Sequence, residues 1–199
     1  MSLLDLVIPV TVFAAASLSS PGPNNVMLAA SGVNFGFRRT IAHMLGIAIG
    51  FAVMNLAVGL GVGRVFEAYP QIHLVLKYVS IAYLVFLAWK IANSGPVEEG
   101  GVRSKPFTFL QAAAFQWVNP KAWVIAVGAV ATFTTVGGDL LAEVMVMSLI
   151  FLLMTFPSAS TWTFFGTVIG RFLHTPGRLK AFNWFMAGLL LLSLVPAIT

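Results

Sequence analysis

Two short polar stretches interrupt apolar runs, and they hold the residues best suited to chemistry. The first is "SPGPNN" at residues 20–25, and the second is "NPK" at residues 119–121 within "FQWVNPKAW". Proline has no backbone N–H, and its ring clashes with the preceding helical turn. Pro21 and Pro23 are therefore expected to leave backbone carbonyls around residues 17–20 without helical partners.

Each interruption is followed by a helix whose first amides lack partners in their own helix. Asn24 or Asn25 is predicted to cap the first helix, and Asn119 the second, with Pro120 at the favoured first helical position. Lys121 adds a full positive charge. Two helix N-termini that meet form an anion site, while the freed carbonyls at 17–20 and 115–118 form an acceptor site. An α-amino acid carries both complementary groups.

The alternative is that each interruption is only a kink that shapes helix packing, the commoner role for a single proline. Two matched interruptions rich in Asn, Pro and Gly favour a binding site instead. Gln116 either lines the same cavity or bonds to a neighbouring helix. The predicted substrate-binding residues are Pro21, Gly22, Pro23, Asn24, Asn25, Gln116, Asn119, Pro120 and Lys121.

The composition predicts an integral membrane protein. Of the 199 residues, 59% are hydrophobic and 9% are charged, and the mean hydropathy is +0.94. A soluble domain has roughly 25% charged residues, so lipid must cover much of this surface. The net charge of +5 fits a bias in cytoplasmic loops and does not require nucleic acid. The lack of cysteine excludes disulfides and thiolate catalysis.

Six apolar segments can be placed as membrane-spanning helices, which each need about 20 residues. They predict an all-α, polytopic fold in one transporter domain over residues 1–199. A polar linker at 93–106 separates halves at about 1–95 and 104–199. Pro157 is predicted to kink the fifth segment. The six segments are residues 3–37, 40–63, 71–92, 107–135, 140–173 and 181–198.

Charge in the connections predicts the orientation. Lys77 and Lys121 lie inside predicted spans and are not counted. The connections on one side of the membrane hold only Arg64, whereas those on the other side hold Arg38, Arg39, Lys90, Arg103, Lys105, Arg171, Arg178 and Lys180. Positive loops stay cytoplasmic, so both termini are predicted outside. Six spans divide into a 3+3 inverted repeat with the broken helix first in each half. Paired interruptions of this kind indicate a transporter's binding site.

No acidic residue is clearly placed at the membrane centre. The acidic residues lie in predicted loops or near span ends: Asp5, Glu67, Glu98, Glu99, Asp139 and Glu143. A dicationic substrate would lack a counter-charge, which favours neutral zwitterions. His43 titrates in the right range to couple protons, or is simply an interfacial histidine near Arg38 and Arg39. No metal site or cofactor is predicted.

The motifs resemble the LysE/RhtB family of amino-acid exporters. "SPGPNNVMLAASGVNFGFRRTIAHMLGI", "LKYVSIAYLVFLAWKI" and "FQWVNPKAW" carry the resemblance, which is strongest to the RhtB-type and cysteine/O-acetylserine branches. It implies an inner-membrane carrier that expels amino acids or their derivatives in exchange for protons. The family's signatures fall on residues 21–25 and 119–121. The branch for basic amino acids has Gln at the position of Asn24 and an acidic residue in the second span, both absent here.

Two other classes of membrane protein fit the sequence less well. The metalloprotease motif His-Glu-x-x-His is absent, and His43, His73 and His174 lie near different predicted ends, so an enzyme is not expected. A passive channel is the alternative, and two breaks could line a pore only in an oligomer. The sequence predicts a secondary transporter that works by alternating access, with an amino acid, protons and the lipid bilayer as partners. A homo-oligomer is left open.

Overall fold

The computed structural model describes residues 3–62, 71–94, 105–135, 137–173 and 175–194, and these residues form helices and short connections without a strand. The all-α prediction is thereby confirmed for the described part of the chain. The helices are α1 Leu3–Ser19, α2 Pro23–Phe35, α3 Phe37–Ala57, α4 Gln71–Ala92, α5 Phe109–Gln116, α6 Pro120–Phe133, α7 Leu140–Gly170 and α8 Pro176–Leu192. A π-helical turn, Val58–Val62, extends α3.

Both predicted interruptions are real breaks in the helices. The first break, residues 20–22, separates α1 from α2, and the two helix axes differ by 58°. The second break, residues 117–119, separates α5 from α6. Pro157 lies inside α7, which remains helical from Leu140 to Gly170. The sixth segment begins at Pro176, not near residue 181, because Thr175 caps the helix by accepting a bond from the Arg178 amide.

Three of the predicted spans meet criteria of length and hydropathy for crossing a membrane. Phe37–Val62 and Leu140–Gly170 each reach a mean hydropathy of 2.1, and the bent pair α1–α2 qualifies when it is counted as one span. Ile8, Leu110 and Val124 each expose about three quarters of their surface. Outward apolar side chains of this size are typical of a surface covered by another apolar phase.

Helix α7 is the element around which the others pack, since it contacts α1, α2 and α3, while α4 pairs with α8. Small residues allow the closest of these approaches. A Cβ on Gly32 of α2 would collide with the Thr163 carbonyl of α7, and a Cβ on Gly166 of α7 would collide with the Ala29 carbonyl of α2. The backbones of α2 and α7 are therefore in direct contact.

The buried apolar residues form two main clusters on either side of the first break. One is built from α1, α3, α6 and α7 and includes Phe51 and Phe151, whose rings meet edge-on at 5.1 Å. The other is built mainly from α2, α4 and α8 and includes Met27 and Leu87. The first break therefore lies where the chain passes from one cluster, which contains α1, to the other, which contains α2.

Candidate functional site

The two breaks lie against each other although about half the chain separates them in sequence. Asn24, just after the first break, donates from Nδ2 to Oε1 of Gln116 at 2.8 Å. Gln116, just before the second break, donates back to Oδ1 of Asn24 at 3.1 Å and also to the Ala112 carbonyl at 2.9 Å. Gln116 is fully buried. Of the two alternatives that the sequence left for Gln116, the structure shows the hydrogen bond to a neighbouring helix.

Lys121 forms a second connection between the breaks. Its ammonium donates to the Ser20 carbonyl at 2.7 Å, the Ser20 hydroxyl at 2.8 Å and the Pro21 carbonyl at 3.2 Å. An ammonium group has three donors, so these three oxygens satisfy it completely. We call this set of two carbonyl oxygens and one hydroxyl oxygen the carbonyl cage.

The carbonyls freed by the prolines are held by side chains. The Leu18 carbonyl accepts from Asn25 Nδ2 at 2.8 Å and from the Ser158 hydroxyl at 3.0 Å. Asn25 Nδ2 also donates to the Ser20 carbonyl at 2.8 Å, and the Trp162 indole donates to the Ser19 carbonyl at 3.3 Å. In an apolar medium an unpaired carbonyl costs several kcal/mol, which explains why polar side chains gather here.

The prediction that Asn24 or Asn25 caps α2 is wrong. Gly22 occupies the N-cap position, Pro23 is the first helical residue, and no side chain caps this end. Both asparagine side chains are used elsewhere, one on Gln116 and the other on the freed carbonyls. The first amides of α2 therefore have no side-chain cap.

The second break follows its prediction closely. Asn119 caps α6, with Oδ1 accepting from the Lys121 amide at 3.1 Å, and Pro120 is the first helical residue. The Asn119 carbonyl accepts from the Ala122 amide at 3.0 Å. The first amides of α6 therefore already have hydrogen-bond partners within their own turn. The positive group that α6 brings to this region is the Lys121 ammonium and not a free N-terminus.

A single cleft lies between the breaks, and we call it the break cleft. It has a volume of about 450 Å³ with its open mouth included. Five of the predicted site residues line it: Gly22, Asn24, Asn25, Asn119 and Lys121. Pro21, Pro23, Gln116 and Pro120 shape or support this wall without lining it.

Other lining residues could not be singled out from sequence. Leu28, Ile47 and Phe51 form an apolar wall, and Ser17, Thr155 and Ser158 add hydroxyl groups. Apolar residues in a membrane helix give no signal that distinguishes a cavity wall from packing. The hydroxyl groups had one signal, because Ser158 follows Pro157, but its partner on α1 lies far away in sequence.

Among the lining residues, Lys121 alone is ionisable. The remaining polar groups are amides, hydroxyls and carbonyls. The cleft thus contains one positive charge and several neutral acceptors, and no carboxylate lines it. No group of three or more His, Cys, Asp or Glu residues that could hold a metal ion occurs in the described part of the chain.

His43 does not line the break cleft. It is fully buried on α3, both ring nitrogens lack a hydrogen-bond partner, and its ring packs 5.1 Å from that of Phe107. The Lys90 ammonium lies 4.3 Å from the same Phe107 ring. The structure therefore places the His43 side chain in the protein interior and not in an exposed position near Arg38 and Arg39.

One acidic side chain is buried near a helix end. Glu143, in the first turn of α7, accepts from the Thr135 amide at 3.0 Å and from the Thr135 hydroxyl. Asp139 caps the same helix by accepting from the Ala142 amide. Neither residue lines the cleft.

Broken apolar helices that meet at a polar cleft are typical of helical membrane transporters. The comparison with known families agrees, because the model of the LysE type translocator matches residues 15–195. The chain belongs to the LysE family, and the resemblance read from its motifs is confirmed. It is a membrane transporter and not an enzyme.

Curated relatives point to the same family. The chain is 32% identical over 160 residues to the cysteine/O-acetylserine efflux protein of Escherichia coli (strain K12), covering 80% of this chain and 81% of that protein. The protein of the same name from Shigella sonnei (strain Ss046) matches to the same extent. No solved structure shows significant similarity.

Proposed function

We propose that this protein exports small neutral amino acids or their derivatives across the bacterial inner membrane. Cysteine- or O-acetylserine-like and homoserine- or threonine-like zwitterions are the favoured substrates. The observation that carries this proposal is the contact between the two breaks, which joins a lysine, a helix N-terminus without a side-chain cap and backbone carbonyls in one cleft. The names of the curated relatives support the same substrate class.

The substrate carboxylate would bind Lys121 and the N-terminus of α2. Helix N-termini attract anions through free amides and the helix dipole, and no side chain caps this end of α2. The substrate ammonium would bind carbonyl oxygens of the first break. Leu28, Ile47 and Phe51 would contact the substrate side chain, and their apolar surface disfavours a second charge there.

The cleft must widen to admit a substrate. In the structure the side chain of Lys121 reaches across to the first break and contacts the Ser20 and Pro21 carbonyls. A carrier that works by alternating access passes through such closed states. We therefore propose that three-span halves, about 1–95 and 104–199, rock about the break cleft.

The inverted repeat and the orientation are part of this proposal. The α1–α2 pair and the α5–α6 pair occupy corresponding places in the two halves, and each contains one break. The excess of Lys and Arg on one side of the predicted spans favours a cytoplasmic location for that side. Both termini would then face outward.

Proton antiport is proposed as the energy source, with His43 as the titrating group. His43 stands four residues before Ile47 on α3, so the two lie on one helix face, and Ile47 lines the cleft. A charge on this buried and unpartnered ring would be costly. Protonation is therefore expected to shift α3 and with it the cleft wall.

Counterflow in proteoliposomes tests the function directly. Vesicles loaded with an unlabelled amino acid should accumulate the same labelled amino acid, and a panel of labels across a pH series identifies the substrate and proton coupling together. We expect Asn24→Ala, Asn119→Ala and Lys121→Met to abolish exchange while the protein still inserts. Lys180→Met removes an exposed lysine of α8 and serves as the matched control.

The same assay separates the carrier from a passive channel. A carrier gives exchange that saturates with substrate concentration, whereas an oligomeric pore gives unsaturable flux. Wild-type exchange in all three site variants would refute the site assignment. Absence of exchange for every amino acid tested would refute the function itself.

A further inference from the structure

We infer that the carbonyl cage is the binding site for the substrate's ammonium group, and that Lys121 occupies it when substrate is absent. An arriving amino acid would place its own ammonium on the Ser20 and Pro21 oxygens. Lys121 would then turn to the substrate carboxylate. This inference rests on the proposed function and names the subsite within it.

The first argument is chemical identity. The group now in the cage is a primary ammonium with three donors on three oxygens, at 2.7, 2.8 and 3.2 Å. The ammonium of an α-amino acid presents the same three donors. Oxygens arranged to satisfy one of these groups satisfy the other equally well.

The second argument is charge. Two ammonium groups cannot share one small cage, because placing like charges side by side costs several kcal/mol. Among the described residues that line the cleft there is no carboxylate to receive Lys121 when it leaves. The substrate brings that carboxylate itself, so the exchange leaves the cleft with the same net charge of one.

The third argument is the room that Gly22 leaves for the stem of the lysine. The stem of Lys121 lies over Gly22, where an added Cβ would stand 2.7 Å from Cδ and 3.0 Å from Nζ. Gly22 has φ 174°, an extended conformation open to any residue. Its lack of a side chain therefore serves the lysine, and lets the stem lie across the break.

The exchange makes both charged groups of the substrate necessary. An amine without a carboxylate provides no partner for Lys121 outside the cage. Such an amine is therefore excluded from the cage. An N-acylated amino acid offers a carboxylate but leaves the cage empty once Lys121 has turned. The empty acceptors then disfavour binding.

Cysteine and two analogues test this in the purified full-length protein. Cysteamine lacks the carboxylate, and N-acetylcysteine lacks the ammonium. The chain contains no cysteine, so these thiols cannot form mixed disulfides with it. We expect wild-type protein in lipid nanodiscs to bind cysteine but not the analogues. Lys121→Met should bind cysteine at least about 10-fold more weakly and cysteamine at least about 10-fold more tightly than wild type.

Two variants control for the loss of the lysine. Lys121→Arg keeps a cation in the cage and should still exclude cysteamine, and Lys180→Met should behave as wild type. A folded Lys121→Met protein with unchanged cysteamine affinity would overturn the inference. The inference would also be overturned if cysteamine competed with cysteine for binding to the wild-type protein at equal concentration. This second test does not depend on the folding of a variant.

The failure of this inference differs from the failure of the function. If wild-type protein exchanges cysteine or another amino acid while cysteamine fails to gain affinity in Lys121→Met, the carrier stands and the cage assignment falls. If wild-type protein exchanges no amino acid, the proposed function falls, and the inference falls with it.

Discussion

Gly22 shows how much a single missing side chain contributes to this site. Its extended backbone could be adopted by any residue, so its value lies in the room it leaves for the stem of Lys121. A methyl group there meets only the flexible end of that lysine. The protein should therefore tolerate the change structurally while the connection between the breaks is disturbed.

We predict that Gly22→Ala lowers exchange by about 10- to 100-fold, because displacing a binding group by about an ångström has effects of this size. Gly128→Ala is the matched control, since a Cβ there meets nothing within 4 Å. Exchange in proteoliposomes is the measurement, with thermal unfolding as the check on folding. Wild-type exchange by Gly22→Ala would mean that the stem position does not matter.

The paired amides of Asn24 and Gln116 give a second prediction at the scale of residues. Asn24→Ala leaves the fully buried Gln116 amide without one partner, at a cost of about 1–3 kcal/mol. The Gln116→Leu change should remove much of that penalty in the double variant. A double-mutant cycle on thermal unfolding should give a coupling energy of about 1 kcal/mol, and additive effects would contradict the pairing.

The sequence predicted the position of both breaks and the Asn119 cap, because proline and asparagine act locally. It did not predict what Asn25 does. An asparagine beside a proline can cap the next helix or bind the carbonyls behind it, and neighbouring helices decide between the two. Here Ser158 and Trp162 already approach those carbonyls from α7, and Asn25 joins them.

At the scale of elements, the contact between α2 and α7 positions the first break. Gly32 and Gly166 allow these backbones to touch, and α7 also supplies the Ser158 hydroxyl that holds the Leu18 carbonyl. If the two helices separated, the hydrogen bond from Ser158 that holds the Leu18 carbonyl at the cleft would therefore change.

We predict that Gly166→Ala destabilises the protein by about 1–3 kcal/mol, since the added methyl meets rigid backbone at Ala29 instead of a flexible side chain. Export should fall along with stability. Gly188→Ala on α8 is the control, because a Cβ there has open space within 4 Å. An unchanged unfolding temperature for Gly166→Ala would show that α2 and α7 can part without cost.

Hydropathy predicted a helix end correctly where polar or charged residues begin at that end. The third segment was predicted as residues 71–92, and α4 has these bounds. The start of α8 was missed because Arg178 and Lys180 lowered the local hydropathy. The signal was present in Thr175 followed by Pro176, a capping residue and a first-turn proline.

At the scale of the whole molecule, the absence of cysteine makes the proposed topology directly measurable. Single cysteines can be introduced without removing any native ones. We predict that Thr199→Cys in intact cells reacts with a membrane-impermeant maleimide, and that Ser104→Cys in the linker reacts only after permeabilisation. The reverse pattern would invert the proposed orientation, and with it the assignment of the basic loops to the cytoplasm.

Composition predicted the membrane class, the apolar runs predicted the order of the segments, and the matched breaks predicted that distant parts of the chain meet. The connection that closes the cleft could not be predicted. Lys121 and Ser20 are about a hundred residues apart in sequence, and neither local pattern shows which oxygens the lysine will bind.

The length of α7 links the site to the lipid around it. Its 31 residues extend about 46 Å at 1.5 Å per residue, well beyond a hydrocarbon core of about 30 Å. Such a helix tilts more in thin bilayers than in thick ones. Because α7 also holds the Leu18 and Ser19 carbonyls, a change in tilt would be felt at the first break. We expect turnover to depend on acyl-chain length, so that membrane thickness itself tunes the rate of export.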